Sequence, residues 1–364
     1  MATPWNQTRV SQLLGIQYPI IQGALGGLAT QRLTAGVSNF GGLGSFGAHQ
    51  LQPSAIADVI AEIRSLTTSP FAMNLWVSME DEGARASDEA AFRRAASGLM
   101  PYLKELGAAE PAYTPYKPVR FEDQARVLLD AKVPAFSFVF GIPPAEILAE
   151  AKKQHIPTLG TATTVDEARA LEQAGVDIVV ASGFEGGGHR GSFLKSSEES
   201  LTGTFSLVPQ TVDAVSIPVV AAGGVSDARG IKAAMALGAE GAQLGTVFLA
   251  TAESGASALH REAILSGGAR ETTLTRGVTG RLARGIRNRL LTALNEPGQE
   301  FLPYPLQRAL VRNVSAAAQT AGRADLVALW AGQSASLARM SDLQLLLASL
   351  VHGMGNSRTN WKAS

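Results

Sequence analysis

The fold class predicted from the sequence is α/β, a (β/α)8 TIM barrel with an insertion after strand three and a helical C-terminal region. Three observations predict it. Eight short apolar runs, bounded by Gly and Pro, recur along the chain, and amphipathic stretches follow the clearest of them. The runs are continuously apolar rather than alternating, which marks parallel strands buried on both faces. The 364 residues exceed the roughly 250 of a barrel core, leaving room for two additions.

The strands follow in order. YPIIQGAL (Tyr18 to Leu25), GGLGSFGA (Gly41 to Ala48) and PFAMNLWV (Pro70 to Val77) are the first three. PAFSFVFG (Pro134 to Gly141) is the fourth, with PPAEILAEAKKQ (Pro143 to Gln154) as its helix. IPTLGTAT (Ile156 to Thr163) leads into the helix TVDEARALEQAG (Thr164 to Gly175), and VDIVVASG (Val176 to Gly183) is the sixth strand. IPVVAAGGV (Ile217 to Val225), the helix SDARGIKAAMALG and GAQLGTVFL (Gly241 to Leu249) complete the set. Thr164 with Glu167 reads as a capping box, Ser226 as a cap, and Gly175 and Gly238 as helix stops. Residues 1–250 are thus assigned to the barrel, with the insertion at about 79–117. Residues 251–364, rich in Ala, Leu and Arg, are assigned to a helical region that packs on the barrel and contributes to the substrate pocket.

Composition excludes several functions. The 31 basic and 31 acidic residues balance, with no basic stripe for nucleic acid. There is no cysteine, hence no disulfide, thiolate nucleophile or Cys-held metal. No His/Asp/Glu spacing suggests a metal site. The N-terminus lacks a signal-peptide pattern and no run is long enough to span a bilayer. A soluble cytoplasmic protein is expected, with a homodimer left open.

In such a barrel the chemistry sits at the C-terminal ends of the strands. Those ends read Gln22–Gly23, Gly47, Asn74, Gly141, Thr161, Ser182–Gly183, Gly223–Gly224 and Gly245–Thr246, small or polar throughout, which leaves room for a flat ligand. AAGGV (Ala221 to Val225) and QLGT (Gln243, Leu244, Gly245, Thr246) end strands seven and eight, the usual phosphate position. Glycines there let backbone N–H groups turn toward an anion. These motifs do not choose between FMN and a phosphorylated substrate. The loop SGFEGGGHRGSF (Ser182 to Phe193) sets His189 among glycines over the barrel mouth, and imidazole is the side chain suited to proton transfer near neutral pH. His49 is placed just beyond strand two, His155 on the stability face, and His260 and His352 in the helical tail.

The segments LGIQYPIIQGAL, FAMNLWV, ASGFEGGGHRGSF, PVVAAGGVSDARGIKAAMALGAEGAQLGTVFLA and FLPYP resemble the nitronate monooxygenase family, from about Leu13 to about Arg312. The resemblance implies noncovalent FMN and oxidation of alkyl nitronates, such as propionate 3-nitronate, by O2 to a carbonyl compound and nitrite through a flavin semiquinone. It implies that Gln22, Gly23 and Asn74 line the isoalloxazine. Ser182, Gly187, Gly188, Gly223, Gly224 and Gln243 to Thr246 are implied as flavin and phosphate contacts. His189 is implied as the active-site histidine, a base or, as a cation, a stabiliser of bound nitronate. Tyr304 is implied to narrow the substrate pocket. The chain departs from the family pattern at Ser182, where many relatives carry Gln, and at Val139 and Gln307, where many carry His.

Competing readings are an NADH-dependent FMN reductase of quinones or enoyl thioesters, and a lyase or isomerase of a phosphorylated substrate. The second would need Glu185 or Lys195 as its catalytic group. A flavin carrier without turnover is the third.

Overall fold

The computed structural model describes residues 4–117 and 119–355. Among the described residues eleven strands form two sheets: β1 (Ile20–Gln22), β2 (Gly44–Gly47), β3 (Phe71–Trp76), β4 (Ala135–Val139), β5 (Thr158–Ala162), β6 (Ile178–Ser182), β7 (Gly188–His189), β8 (Val219–Ala222), β9 (Gly241–Leu244), β10 (Thr272–Thr275) and β11 (Ala283–Ile286). Eight of them run parallel in the order β1-β9-β8-β6-β5-β4-β3-β2. The ends of that order meet: Gln22 N–H donates to the Leu43 carbonyl and Leu43 N–H to the Ile20 carbonyl, both at 2.9 Å. This closes the barrel and removes its edges.

Inward-facing Ile21, Leu43, Ala72, Ala135, Leu159, Ile178, Val180 and Val220 cluster with Val10, Leu14 and Ile16, so the short N-terminal helix Arg9–Leu14 packs with the interior rather than standing apart. Phe71, Met73, Phe136, Phe138 and Val179, one position out of phase, face the covering helices. Close helix-to-strand packing sets small residues at particular places. A Cβ on Gly44 would lie 1.9 Å from the Thr34 carbonyl oxygen, so only glycine fits there.

Several expectations are refined. The last barrel strand ends at Leu244, not Leu249. At Gly245 the chain turns, and Thr246–Leu249 is a helical turn that leaves the barrel rim. Asp227, not Ser226, caps the helix Ala228–Ala236, accepting from Arg229 and Gly230 N–H. Ser226 Oγ instead donates to the Ser334 carbonyl at 3.2 Å. Thr164 does cap its helix, but the Glu167 carboxylate is not spent on a reciprocal box. It accepts from Thr163 N–H and Oγ, Phe193 N–H and Leu194 N–H, tying β5 to the segment after β7.

The region beyond Thr251, expected to be helical, also contains a hairpin. Its first strand, TTLT, is rich in β-branched residues, which favour strand over helix. The hairpin pairs antiparallel with β7 to make the second sheet, in the order β10-β11-β7. The insertion forms helices Glu89–Ser97 and Met100–Glu105 followed by an extended run. It is bound to this region by Glu105, which takes hydrogen bonds from Arg289 and Arg323, each at 2.8 Å.

Candidate active site

A cavity of about 720 Å³ opens at the C-terminal ends of the barrel strands, within the range of ligand sites. Gly23, Asn74, Ser182, Gly187, Gly188, His189, Gly223, Gly224, Gln243, Gly245 and Thr246 line it, so most of the residues singled out from the sequence meet there. Three do not. Gln22 is fully buried and its amide is consumed by backbone: Nε2 donates to the carbonyls of Gly23 (2.9 Å) and Ser45 (2.7 Å), and Oε1 accepts from Ser45 N–H at 3.2 Å. It straps β1 to β2 instead of lining the cavity. Leu244 is equally buried, its carbonyl accepting from Gly23 N–H at 2.7 Å. Tyr304 is 2% exposed and stacks behind Trp76, with ring centroids 5.2 Å apart. It supports the wall rather than forming it.

One end of the cavity is built of backbone. Gly223 and Gly224 adopt φ of 97° and 72°, a conformation that turns their peptide groups and that a side chain would strain. The turn Gly245–Thr246 stands beside them at the end of β9. The far side is closed by Gly332 to Ser334: Gly332 N–H donates to Thr246 Oγ at 2.9 Å and Gln333 N–H to the Glu185 carbonyl at 2.9 Å. Gly187 lies against this segment so closely that a Cβ would sit 2.5 Å from Gly332 N. Such a glycine-lined end suits a phosphate held by backbone donors.

The other end carries the side chains with chemistry. His189 does not ride on a free loop: it lies in β7, paired with Ala283 of β11, and Arg190 N–H donates to the Leu282 carbonyl. Arg190 is itself buried and donates to the carbonyls of Gly183 (2.7 Å), Ser182 (3.0 Å) and Ser200 (3.2 Å), fixing both ends of the glycine segment. His189 Nε2 is 2.9 Å from Thr279 Oγ, which also lies 3.1 Å from the Arg281 carbonyl and accepts from Arg281 N–H at 3.3 Å. That hydroxyl has one hydrogen, and a carbonyl can only accept. When the hydrogen goes to the carbonyl, His189 presents Nε2–H to Thr279 and keeps its lone pair on Nδ1.

Electrostatics hold this imidazole neutral. Burial pushes its pKa down to about 3, with Arg281 and Arg308 adding repulsion. At neutral pH the imidazole is therefore uncharged, with a ring-nitrogen lone pair free to accept. His49, far less prominent in the sequence, is fully buried at the same place and stacks on Trp76 with centroids 3.9 Å apart and planes 2° apart. Its pKa is also well below the usual histidine value, chiefly through burial. Its Nδ1 has no partner. Trp76, Phe140 and Tyr304 surround the Arg281 guanidinium, whose carbon lies 4.3 Å from the Phe140 centroid. Asp81 pairs with Arg281 at 2.7 Å.

Sequence reasoning missed Trp76, Thr279, Arg308 and Trp330 as lining residues and set His260 aside, yet it lines the cavity and binds the Trp330 carbonyl at 2.8 Å. Most belong to the post-barrel region, where no strand periodicity pointed to the mouth. Of the departures, Val139 lines the cavity, whereas Gln307 is buried and bonds to the backbone of Gly277 and Leu302. The catalytic groups a lyase would need are engaged elsewhere. The Glu185 carboxylate caps Thr204 N–H at 2.9 Å, and Lys195 pairs on the surface with Asp166 at 3.7 Å. Among the described residues there is no cluster fit to hold a metal ion and no helix long and apolar enough to cross a membrane.

Comparison with known proteins agrees with this architecture. The nitronate monooxygenase family model matches residues 7–353. A probable nitronate monooxygenase from Staphylococcus aureus strain Newman is 40% identical over 349 residues, covering 96% of this chain and 97% of that protein. The structure of nitroalkane oxidase from Streptomyces ansochromogenes superposes with a TM-score of 0.84 at 35% identity, covering 95% of this chain and 97% of that one. FabK from Thermotoga maritima gives 0.74 at 29% identity, with 96% of each chain covered. A (β/α)8 barrel with its working groups at the strand ends, matched over nearly its whole length, places this chain in the nitronate monooxygenase family, as an oxidoreductase.

Proposed function

We propose that the protein binds FMN in this cavity and oxidises alkyl nitronates with O2, giving a carbonyl compound and nitrite. The observation that carries the reading is the pairing, in one cavity, of a backbone cradle at Gly223, Gly224, Gly245 and Thr246 with a half-buried, neutral His189. The residues fit FMN: the glycines of the cradle offer backbone donors with no Cβ to block them, and small groups at Gly23, Ser182 and Gly187 leave space for a flat ring. Bound FMN would supply one-electron oxidation of the substrate and reaction with O2.

The chain's own residues do the remainder. Asn74, whose Nδ2 donates to Ser137 Oγ at 2.9 Å, presents an oriented amide at the end of β3. Trp76, Phe140 and Trp330 line the His189 end with aromatic surface, which strengthens polar contacts beside it. His189 Nδ1 takes a proton from the carbon of a neutral nitroalkane, or orients a nitronate that arrives already deprotonated.

The test is the visible spectrum of the purified protein mixed anaerobically with propionate 3-nitronate. Yellow protein whose flavin bands change on mixing supports the reading. Protein that ignores the nitronate but bleaches with NADH points to a reductase. A colourless preparation that takes up no FMN overturns it.

A further inference from the structure

The helix Leu306–Thr320 turns one face to the cavity, with Arg308, Val311, Arg312, Ser315 and Gln319 at the three- and four-residue spacing of a single helical stripe. Arg312 stands exposed at the rim, whereas Arg308 is half-buried. The Arg308 guanidinium donates to Gln50 Oε1. It has no acidic partner among the described residues: no ion pair joins it to a carboxylate, Asp81 pairs with Arg281, and no Asp or Glu lines the cavity. Its charge is felt at His49, His189 and Tyr304, which places it at the histidine end. Burial itself disfavours its charged form. A partly desolvated cation facing an acid-free cavity is stabilised when an anion enters.

We infer that Arg308, set in place by Gln50, determines specificity at the substrate end: it is the counter-charge for the nitro oxygens of an anionic nitronate and selects it over the uncharged nitroalkane. The planar guanidinium fork matches a planar pair of oxygens, which a point charge does not. With His189 held neutral, Arg308 supplies the positive charge that the imidazole lacks. This inference rests on the nitronate reading above, and the test separates the two.

Nitrate, a planar oxyanion that cannot be oxidised, is titrated into the FMN-loaded protein while the flavin spectrum is followed. It is also tested as an inhibitor of propyl-1-nitronate turnover. Nitrate is expected to compete with the nitronate. Arg308→Met is expected to raise the nitrate Kd and the nitronate KM together by about 10- to 100-fold, the range for a lost hydrogen bond to a charged group. The KM for neutral 1-nitropropane should stay nearly unchanged, and Arg308→Lys should recover part of the loss. Nitronate and nitroalkane KM rising equally would overturn the inference. So would a lack of competition by nitrate in the unsubstituted protein, a result that needs no variant to fold. Protein that turns over no nitronate refutes the reading beneath, and the nitrate titration then still decides whether Arg308 binds anions.

Discussion

Thr279→Val removes one hydroxyl and keeps the side chain's shape, so it isolates what that hydroxyl does for His189. Thr279 is 2% exposed, and its Oγ meets His189 Nε2 at 2.9 Å, the Arg281 carbonyl at 3.1 Å and Arg281 N–H at 3.3 Å. Valine leaves these three contacts unmade. Each hydrogen bond contributes about 1 kcal/mol net, so stability should fall by about 3 kcal/mol. The functional effect has a distinct signature. Without Thr279 nothing at Nε2 selects which ring nitrogen carries the lone pair, and a base whose wrong tautomer prevails loses rate without losing its ligand. Turnover of a neutral nitroalkane should fall about 10- to 100-fold in kcat, with KM changing little, in line with the usual weight of a positioned base. Preformed nitronate should be oxidised at close to the normal rate, and Thr279→Ser should restore both. Steady-state kinetics on the two substrates, with a thermal melt of each variant, decide the matter. An equal loss on both substrates, or a serine variant as poor as valine, would refute the tautomer argument.

Four further outcomes are expected. His189→Asn should retain FMN, read from the absorbance ratio of flavin to protein, yet lose neutral nitroalkane turnover far more than nitronate turnover. Gly187→Ala should reduce bound flavin, because its Cβ would press on Gly332 backbone at 2.5 Å, where no flexible side chain can yield. Asp81→Asn should destabilise the cation–aromatic cluster by removing the partner of a nearly buried Arg281, with a loss of about 3–5 kcal/mol as its ceiling; a melting temperature unchanged from wild type would contradict that. Finally, His189 and His49 both have pKa values below their unfolded value of about 6.5, so the unfolded chain binds more protons in acid. Stability present above pH 6.5 should therefore decline as pH falls from there toward about 3, and the His189→Asn variant should show a shallower decline in denaturant titrations.

The barrel was legible because its signal is repetitive. Eight apolar runs bounded by Gly and Pro specify parallel strands, and the small residues at their ends specify an open mouth. The cradle glycines and His189 stood out for the same reason, being unusual residues at predictable places. What escaped notice depends on contacts distant in sequence. Gln22 sits at a strand end like a lining residue, and only the position of the Ser45 backbone shows that its amide points into the sheet. Thr279 and Arg308 belong to turns and helices after the barrel, and no periodicity aims them at His189. The tail's hairpin was hidden because β11 carries Ala, Arg, Gly and Ile, which have no shared strand preference. β10 is four residues long and also easily overlooked.

The pairing of β7 with β11 has a consequence for how the site comes into being. The glycines of the cradle follow β8 and β9, but the segment that closes it, Gly332 to Ser334, belongs to the tail. The imidazole is aligned only when a strand made nearly a hundred residues later zips onto it. A chain released from the ribosome before Ile286 would carry the barrel and its glycines yet lack both the aligned imidazole and the closing segment. Grafting a different tail onto the same barrel would exchange the Thr279 and Arg308 surroundings of the histidine together with the Gly332 contact at Thr246, a route by which one scaffold can acquire new substrates.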